Sequence, residues 1–204
     1  MSTNNNYEQL YLLPLRDFVF HFFIIFIVGG FLLRLGQVSS LSRICNAVSI
    51  EIFRDIQIED GVGGLIQIDS LLLTARGLVV LDIKEVRGTV FGADEIDEWT
   101  VMHQNRRLSF INPQHTLDYR LIAVRQLVRG LPVFGHILFP NEAEFNKGKP
   151  KHVILADEFL ERYKRPERLE LERLLAAYYP YWDKIRELSG EHAKPSSLSS
   201  SILC

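Results

Sequence analysis

The residues with most chemical promise are acidic side chains placed inside otherwise apolar runs. In LIQIDSLLL, Leu65 to Leu73, a two-residue period puts Gln67, Asp69, Leu71 and Leu73 on one face. In LVVLDIKEV, Leu78 to Val86, the same rule groups Leu78, Val80, Asp82 and Lys84. The connector Thr74-Ala75-Arg76-Gly77 is turn-like, so an antiparallel hairpin is expected, with Asp69 near Asp82 and Lys84. Two carboxylates at one place repel unless a cation or a proton holds them. Hard oxygen ligands, with water completing the shell, point to Mg²⁺. A lysine beside them can orient or activate an attacking water, or stabilise charge on a phosphoryl oxygen. A cross-strand Asp–Lys salt bridge on a partly wet sheet face fits the same residues, and spacing alone does not separate the two readings.

Other chemical candidates are thinner. The six histidines (21, 103, 115, 136, 152 and 192) form no HExxH or His-x-x-x-His pair, which argues against zinc. Cys45 has no local nucleophile signature and reads as a packed helix residue. Arg106, Arg107 and Arg120, with Lys147, Lys149 and Lys151, are candidate phosphate contacts, against the plainer reading of solvated surface charge. The Gly61 to Gly64 run, GVGG, lacks the GK[ST] ending of a phosphate loop and reads as a turn. Trp99 reads as a core or edge anchor rather than a base-stacking platform.

These residues need elements to hold them. Gly36 to Phe53 has helical spacing, and Arg54 to Ile58 alternates like a strand. After the hairpin, strands are expected at Gly88 to Phe91 and Trp99 to Met102, and the extended Ser109 to Pro113 ends where proline disfavours helix. His115 to Arg129 reads as an amphipathic helix closed by Gly130. Val133 to Phe139 and Lys151 to Ala156 read as strands, Glu158 to Tyr163 as a short helix. A longer helix is expected from near Pro166 to about Leu188.

The chain has 204 residues, 47% hydrophobic and 24% charged, with a formal net charge of −2. That suits one globular domain with appendages and provides no global basic field for nucleic acid, though it leaves room for a local basic groove. Two cysteines exclude a disulfide scaffold. Six of the 13 phenylalanines fall between Phe18 and Phe31, in a stretch bracketed by Asp17 and Arg34. About 16 uncharged residues give roughly 24 Å of helix, just under the ~30 Å hydrocarbon core, and Arg34 can snorkel. An uncleaved membrane anchor over 18–35 is the expectation, ahead of a buried core helix or a cleaved signal peptide. One basic residue precedes it, Arg16, while Arg34 and Arg43 follow, so the C-terminal part is placed in the cytoplasm. The expected organisation is a tail (1–17), the transmembrane helix (18–35), a principal domain (36–156), C-terminal helices (157–188) and a disordered Ser-rich tail (189–204).

From Gln57 to about Phe145 the sequence resembles the NERD (nuclease-related) domain, a branch of the PD-(D/E)XK nuclease-like superfamily. The matching pieces are QID (Gln67 to Asp69), RGLVVLDIKEVRGTVFG (Arg76 to Gly92), Trp99-Thr100, FINP (Phe110 to Pro113), and then a helix and VFGHILFPNEAEF. The resemblance implies an α/β, restriction-endonuclease-like fold: a mixed central sheet flanked by helices, preceded here by one transmembrane helix. It implies Asp69 and Asp82 as metal ligands and, with Lys84, as the catalytic set of an Mg²⁺-dependent phosphodiesterase acting on DNA. Gln67 is a supporting residue. Gln37 falls where the family has a helix glutamate, Ser70 where it has histidine, and Glu85 where it has asparagine. The polar pattern after NP is also altered, reading Gln114 to Arg120. These departures keep open an alternative, a catalytically weak or inactive module that binds nucleic acid or a protein partner at the membrane. Bacterial members also carry an N-terminal membrane helix, which implies a single-pass inner-membrane protein.

Overall fold

The computed structural model describes residues 40–189. The expected anchor (18–35), Gln37 and the tail beyond Ser189 lie outside the described residues. Among the described residues no helix is long and apolar enough to cross a membrane.

Helix α1 (Ser40–Val48) leads into strand β1 (Glu51–Glu59), which pairs antiparallel with β2 (Leu65–Thr74). The sequence spacing extends helix to Phe53, but the chain leaves it earlier. Ile50 N–H donates to the Leu73 carbonyl, so the β-branched run Ile50, Ile52, Ile56, Ile58 goes to the sheet instead. The Gly61–Gly64 segment is a turn in which the Asp60 carboxylate accepts the N–H groups of Val62 and Gly64.

Strand β3 (Gly77–Ile83) returns antiparallel to β2, with Ser70 opposite Leu81 and Thr74 opposite Gly77. Gly77 has φ +122°, and a Cβ there would lie 2.4 Å from the Pro132 carbonyl oxygen, so this corner requires glycine. Strands β7 (Val133–Phe139) and β9 (Val153–Leu155) extend the sheet in parallel, giving the order β1-β2-β3-β7-β9.

One mixed sheet was expected, and there are two. Strands β4 (Gly88–Phe91), β5 (Glu98–His103), β6 (Arg106–Ile111) and β8 (Ala143–Glu144) form a second sheet in the order β6-β5-β4-β8. Gly88 begins β4 with φ +103°, where a Cβ would lie 2.4 Å from the Met102 carbonyl oxygen. This bare backbone lets the chain peel away from β3 and pair with β5.

Helix α2 (Pro113–Leu127) covers one face of the larger sheet, and α4 (Arg168–Leu188) adds Trp182 and Ile185 to the same core. There Phe53 stacks on Trp182 at 4.1 Å, while the Trp182 Nε1–H and Arg186 both donate to Glu51 Oε2 at 2.8 Å. Helices α1 and α3 (Ala156–Arg162) cover the opposite face, burying Cys45, Leu72, Val79, Leu81, Leu138 and Phe159. The described residues thus form an α/β fold with mixed sheets flanked by helices.

On the α1/α3 side, His136 is buried, and its Nε2 lies 2.7 Å from the Tyr163 hydroxyl. Burial, then the nearby positive charges of Arg162 and His152, push its pKa down to about 4 from 6.5. Folded His136 therefore stays neutral where the unfolded chain takes up a proton, so its contribution is complete above pH 6.5 and fades as pH falls towards 4. The amount is of the order of 3 kcal/mol. Urea melts at pH 7 and pH 5 should show a marked loss of stability on acidification in the wild type and a smaller loss in His136→Phe.

Candidate functional site

The site forms where β2 and β3 emerge from the apolar core towards α2. Leu78 and Val80 belong to the α2-side core, and alternation brings Asp82 and Lys84 to that same face. Leu71 and Leu73 do the same for Asp69 on β2. Continued one step past Ser70↔Leu81, the register sets Asp69 opposite Asp82, and directly opposed residues share a face. Lys84 Nζ lies 3.0 Å from Asp82 Oδ1, with 9% of the Asp82 side chain exposed, and 5.8 Å from the centre of the Phe110 ring.

Asp69 has a different partner. Both of its carboxylate oxygens are taken by Arg120 of α2, through Nη1 at 2.7 Å and Nη2 at 2.9 Å. Arg120 is buried, with 10% of its side chain exposed against 46% for Asp69. Its Nε is also buried and has no hydrogen-bond partner among the described residues. Asp55 would oppose Asp69 on β1 in a regular ladder. Instead it takes φ +53°, drops out of the pairing between Arg54↔Ser70 and Ile56↔Ile68, and is exposed.

Helix α2 is placed by Asn112, which is fully buried just before it. Its Oδ1 accepts the Gln114 N–H at 2.9 Å as an N-cap, and Pro113 begins the helix. Its Nδ2 donates to the carbonyls of Ala93, Asp94 and Ile96, fastening the β4–β5 loop to the helix start. Gln114 Nε2 donates to Asp94 Oδ1 at 2.8 Å and to the Lys151 carbonyl at 2.6 Å. The Gln114 bond, then the Lys151 N–H, hold the Asp94 carboxyl below its usual pKa. One turn along α2, Asp118 Oδ1 lies 3.3 Å from His152 Nε2, within ion-pair range but off the angle of a hydrogen bond.

The remaining expected residues are dispersed. Gln67 is exposed opposite Gln57, with no hydrogen bond to Asp69, Asp82 or Lys84 among the described residues. Arg106 and Arg107 are exposed on β6, where Arg107 Nη2 donates to Thr100 Oγ1 at 3.4 Å. Trp99 is fully buried, its Nε1–H donating to the Ala93 carbonyl. A shallow cleft of about 430 Å³, lined by Gln126, Arg129, Tyr181 and Lys184 among others, lies at the far end of α2 from its capped start.

Among the described residues, no three His, Cys, Asp or Glu side chains cluster closely enough to hold a metal ion. What remains is two hard carboxylates on opposed positions, each beside a cation. This donor pair fits a hard divalent ion that keeps most of its water, in competition with Arg120, which already donates to both Asp69 oxygens. Sequence reasoning missed Asn112, although the Asn-Pro step ahead of a helical period is a helix-start signal that marks it. It also missed the Asp69–Arg120 pair, for which a separation of 51 residues leaves no local signal.

Asn112→Ala should cost about 2–4 kcal/mol, since it removes the cap and leaves buried carbonyls of the β4–β5 loop unpaired. Urea unfolding of both forms measures this. A loss within 0.5 kcal/mol, about the scatter of a surface substitution, would mean that the knot does not hold the helix.

A search of curated proteins finds an uncharacterized protein of Bacillus anthracis, 23% identical over 111 residues. The match covers 52% of this chain and 52% of that protein, so the chain spans about half the length of the curated relative it matches. No solved structure matches. Residues 38–140 match the nuclease-related domain, NERD, a span that includes β1 to β7 and every residue of the Asp69–Asp82–Lys84–Arg120 group. The chain belongs to the NERD family.

Proposed function

We propose that this chain is a membrane-tethered nuclease that hydrolyses phosphodiester bonds of DNA with Mg²⁺ at Asp69 and Asp82. The observation that carries this reading is the β2–β3 register, which brings Asp69 and Asp82 to one face of the sheet, with the Lys84 ammonium 3.0 Å from Asp82. A divalent ion bound there would polarise a phosphoryl oxygen and lower the pKa of a bound water. The chain's own residues do the rest. Asp82, nearly buried, fixes the lysine, and the Lys84 N–H groups are positioned to orient water or to neutralise charge growing on phosphoryl oxygens. Phe110 limits the directions open to that ammonium. Arg106 and Arg107 on β6 are exposed cations that can meet the DNA backbone.

A second reading has its own support. Because both oxygens of Asp69 are engaged by Arg120, a module that binds nucleic acid without cleaving it also accounts for the site. One assay separates the two. In full-length protein with Mg²⁺, Mn²⁺ or EDTA, Asp82→Asn should abolish both metal binding and cleavage. Lys84→Ala should keep metal affinity within about threefold and slow cleavage by roughly a hundredfold or more. Cleavage that persists in EDTA, or in Asp82→Asn, overturns the nuclease reading. Oligonucleotide binding with no cleavage in any metal establishes the binding module.

Tethering rests on the apolar run within 18–35, and its orientation on Arg34 at the end of that run and Arg43 beyond it. The domain is then cytoplasmic, at the inner membrane of a bacterium, where DNA and millimolar Mg²⁺ are found. A reporter active only in the periplasm, fused after Leu188, should stay silent. Strong activity there would reverse the orientation.

A further inference from the structure

We propose that Arg120 is the resident counter-ion of Asp69 and sets the divalent-metal affinity of the site, so that a metal must compete with the guanidinium for Asp69. The inference rests on reading Asp69 and Asp82 as metal ligands, and adds a residue that tunes them.

Three observations support it. The pair is a two-pronged fork, 2.7 Å and 2.9 Å, so no oxygen of Asp69 is left without a cationic donor. An ion approaching Asp69 meets a fixed positive charge as well as a carboxylate. The guanidinium is also confined. Arg120 shares the sheet side of α2 with the buried Leu117, Leu121 and Val124, and only 10% of its side chain is exposed, so its charge is held beside Asp69. Finally, the charges already balance. Arg120 answers Asp69 and Lys84 answers Asp82, so two carboxylates on opposed positions coexist without a metal to hold them.

Arg120 acts through Asp69 and is therefore a positioning residue. Replacing it with a neutral side chain of similar length leaves the half-exposed Asp69 solvated and free to ligate. Calorimetric titration with Mn²⁺ should then show Arg120→Met binding about tenfold or more tightly than wild type, because a unit charge beside the ion has been removed. Arg120→Lys, which keeps the charge but loses the fork, should fall between the two. Asp82→Asn in the Arg120→Met background should lose the gain. In wild-type protein, ¹⁵N spectra of the arginine side chains should show the Arg120 signals moving as Mg²⁺ is added.

A purely structural pin predicts something else: a lower Tm for Arg120→Met with unchanged Mn²⁺ affinity. That result overturns the role of Arg120 and leaves the Asp69–Asp82 metal reading standing. If neither wild type nor any Arg120 variant binds Mn²⁺, both readings fall. Should Arg120→Met not fold, Arg120→Lys and the wild-type spectra decide, and Arg120 resonances unmoved at saturating Mg²⁺ overturn the proposal.

Discussion

Strand β3 is flanked by β2 and β7 and covered on both faces, so every one of its residues from Gly77 to Asp82 is buried. Such a strand can carry ionised groups only where the layers above it part, and there only if each charge is matched. Asp82 and Lys84 occupy that place, at the C-terminal end of β3 where the chain departs for the second sheet. The pairing of β3 with β2 then decides which residue of β2 stands beside them. A slip of one residue would replace Asp69 by Ser70 or Ile68 and turn the leucines of β2 to the wrong face. The apolar register is thus what holds the chemistry in place.

Charge compensation is the second constraint. Two carboxylates on adjacent strands repel, and the molecule answers with two cations of different kinds. Lys84 is local to Asp82, two residues on and just past the end of β3. Arg120 is remote from Asp69 in sequence and arrives on a helix. The left-handed kink at Asp55 spares the pair a third acid. The resulting cluster is close to neutral.

The second sheet serves the site through Asn112. Its carboxamide joins the β4–β5 loop to the start of α2, and Gln114 extends the same knot to Asp94 and to the backbone before β9. The position of Arg120 therefore depends on a junction two helical turns away. Phe110, two residues before Asn112, packs near both Trp99 and the Lys84 ammonium, so the two ends of the site share one support.

Alternation in the two apolar runs determined the hairpin and the face on which Asp69, Asp82 and Lys84 fall, because a strand period is a local property of the chain. The helical period after Asn-Pro, strand β7 and the packed positions of Trp99 and Cys45 were legible for the same reason. Tertiary structure alone decided the division into two sheets and the early end of α1. Partners distant in sequence outbid local propensity there: the Leu73 carbonyl for Ile50, and β5 for the chain after Gly88. It also decided the fate of Arg120. By composition Arg120 is one arginine among several, equally suited to a phosphate or to solvent. Its place against Asp69 exists only once α2 lies over β2 and β3, and no spacing rule encodes the approach of a helix to a strand 51 residues away.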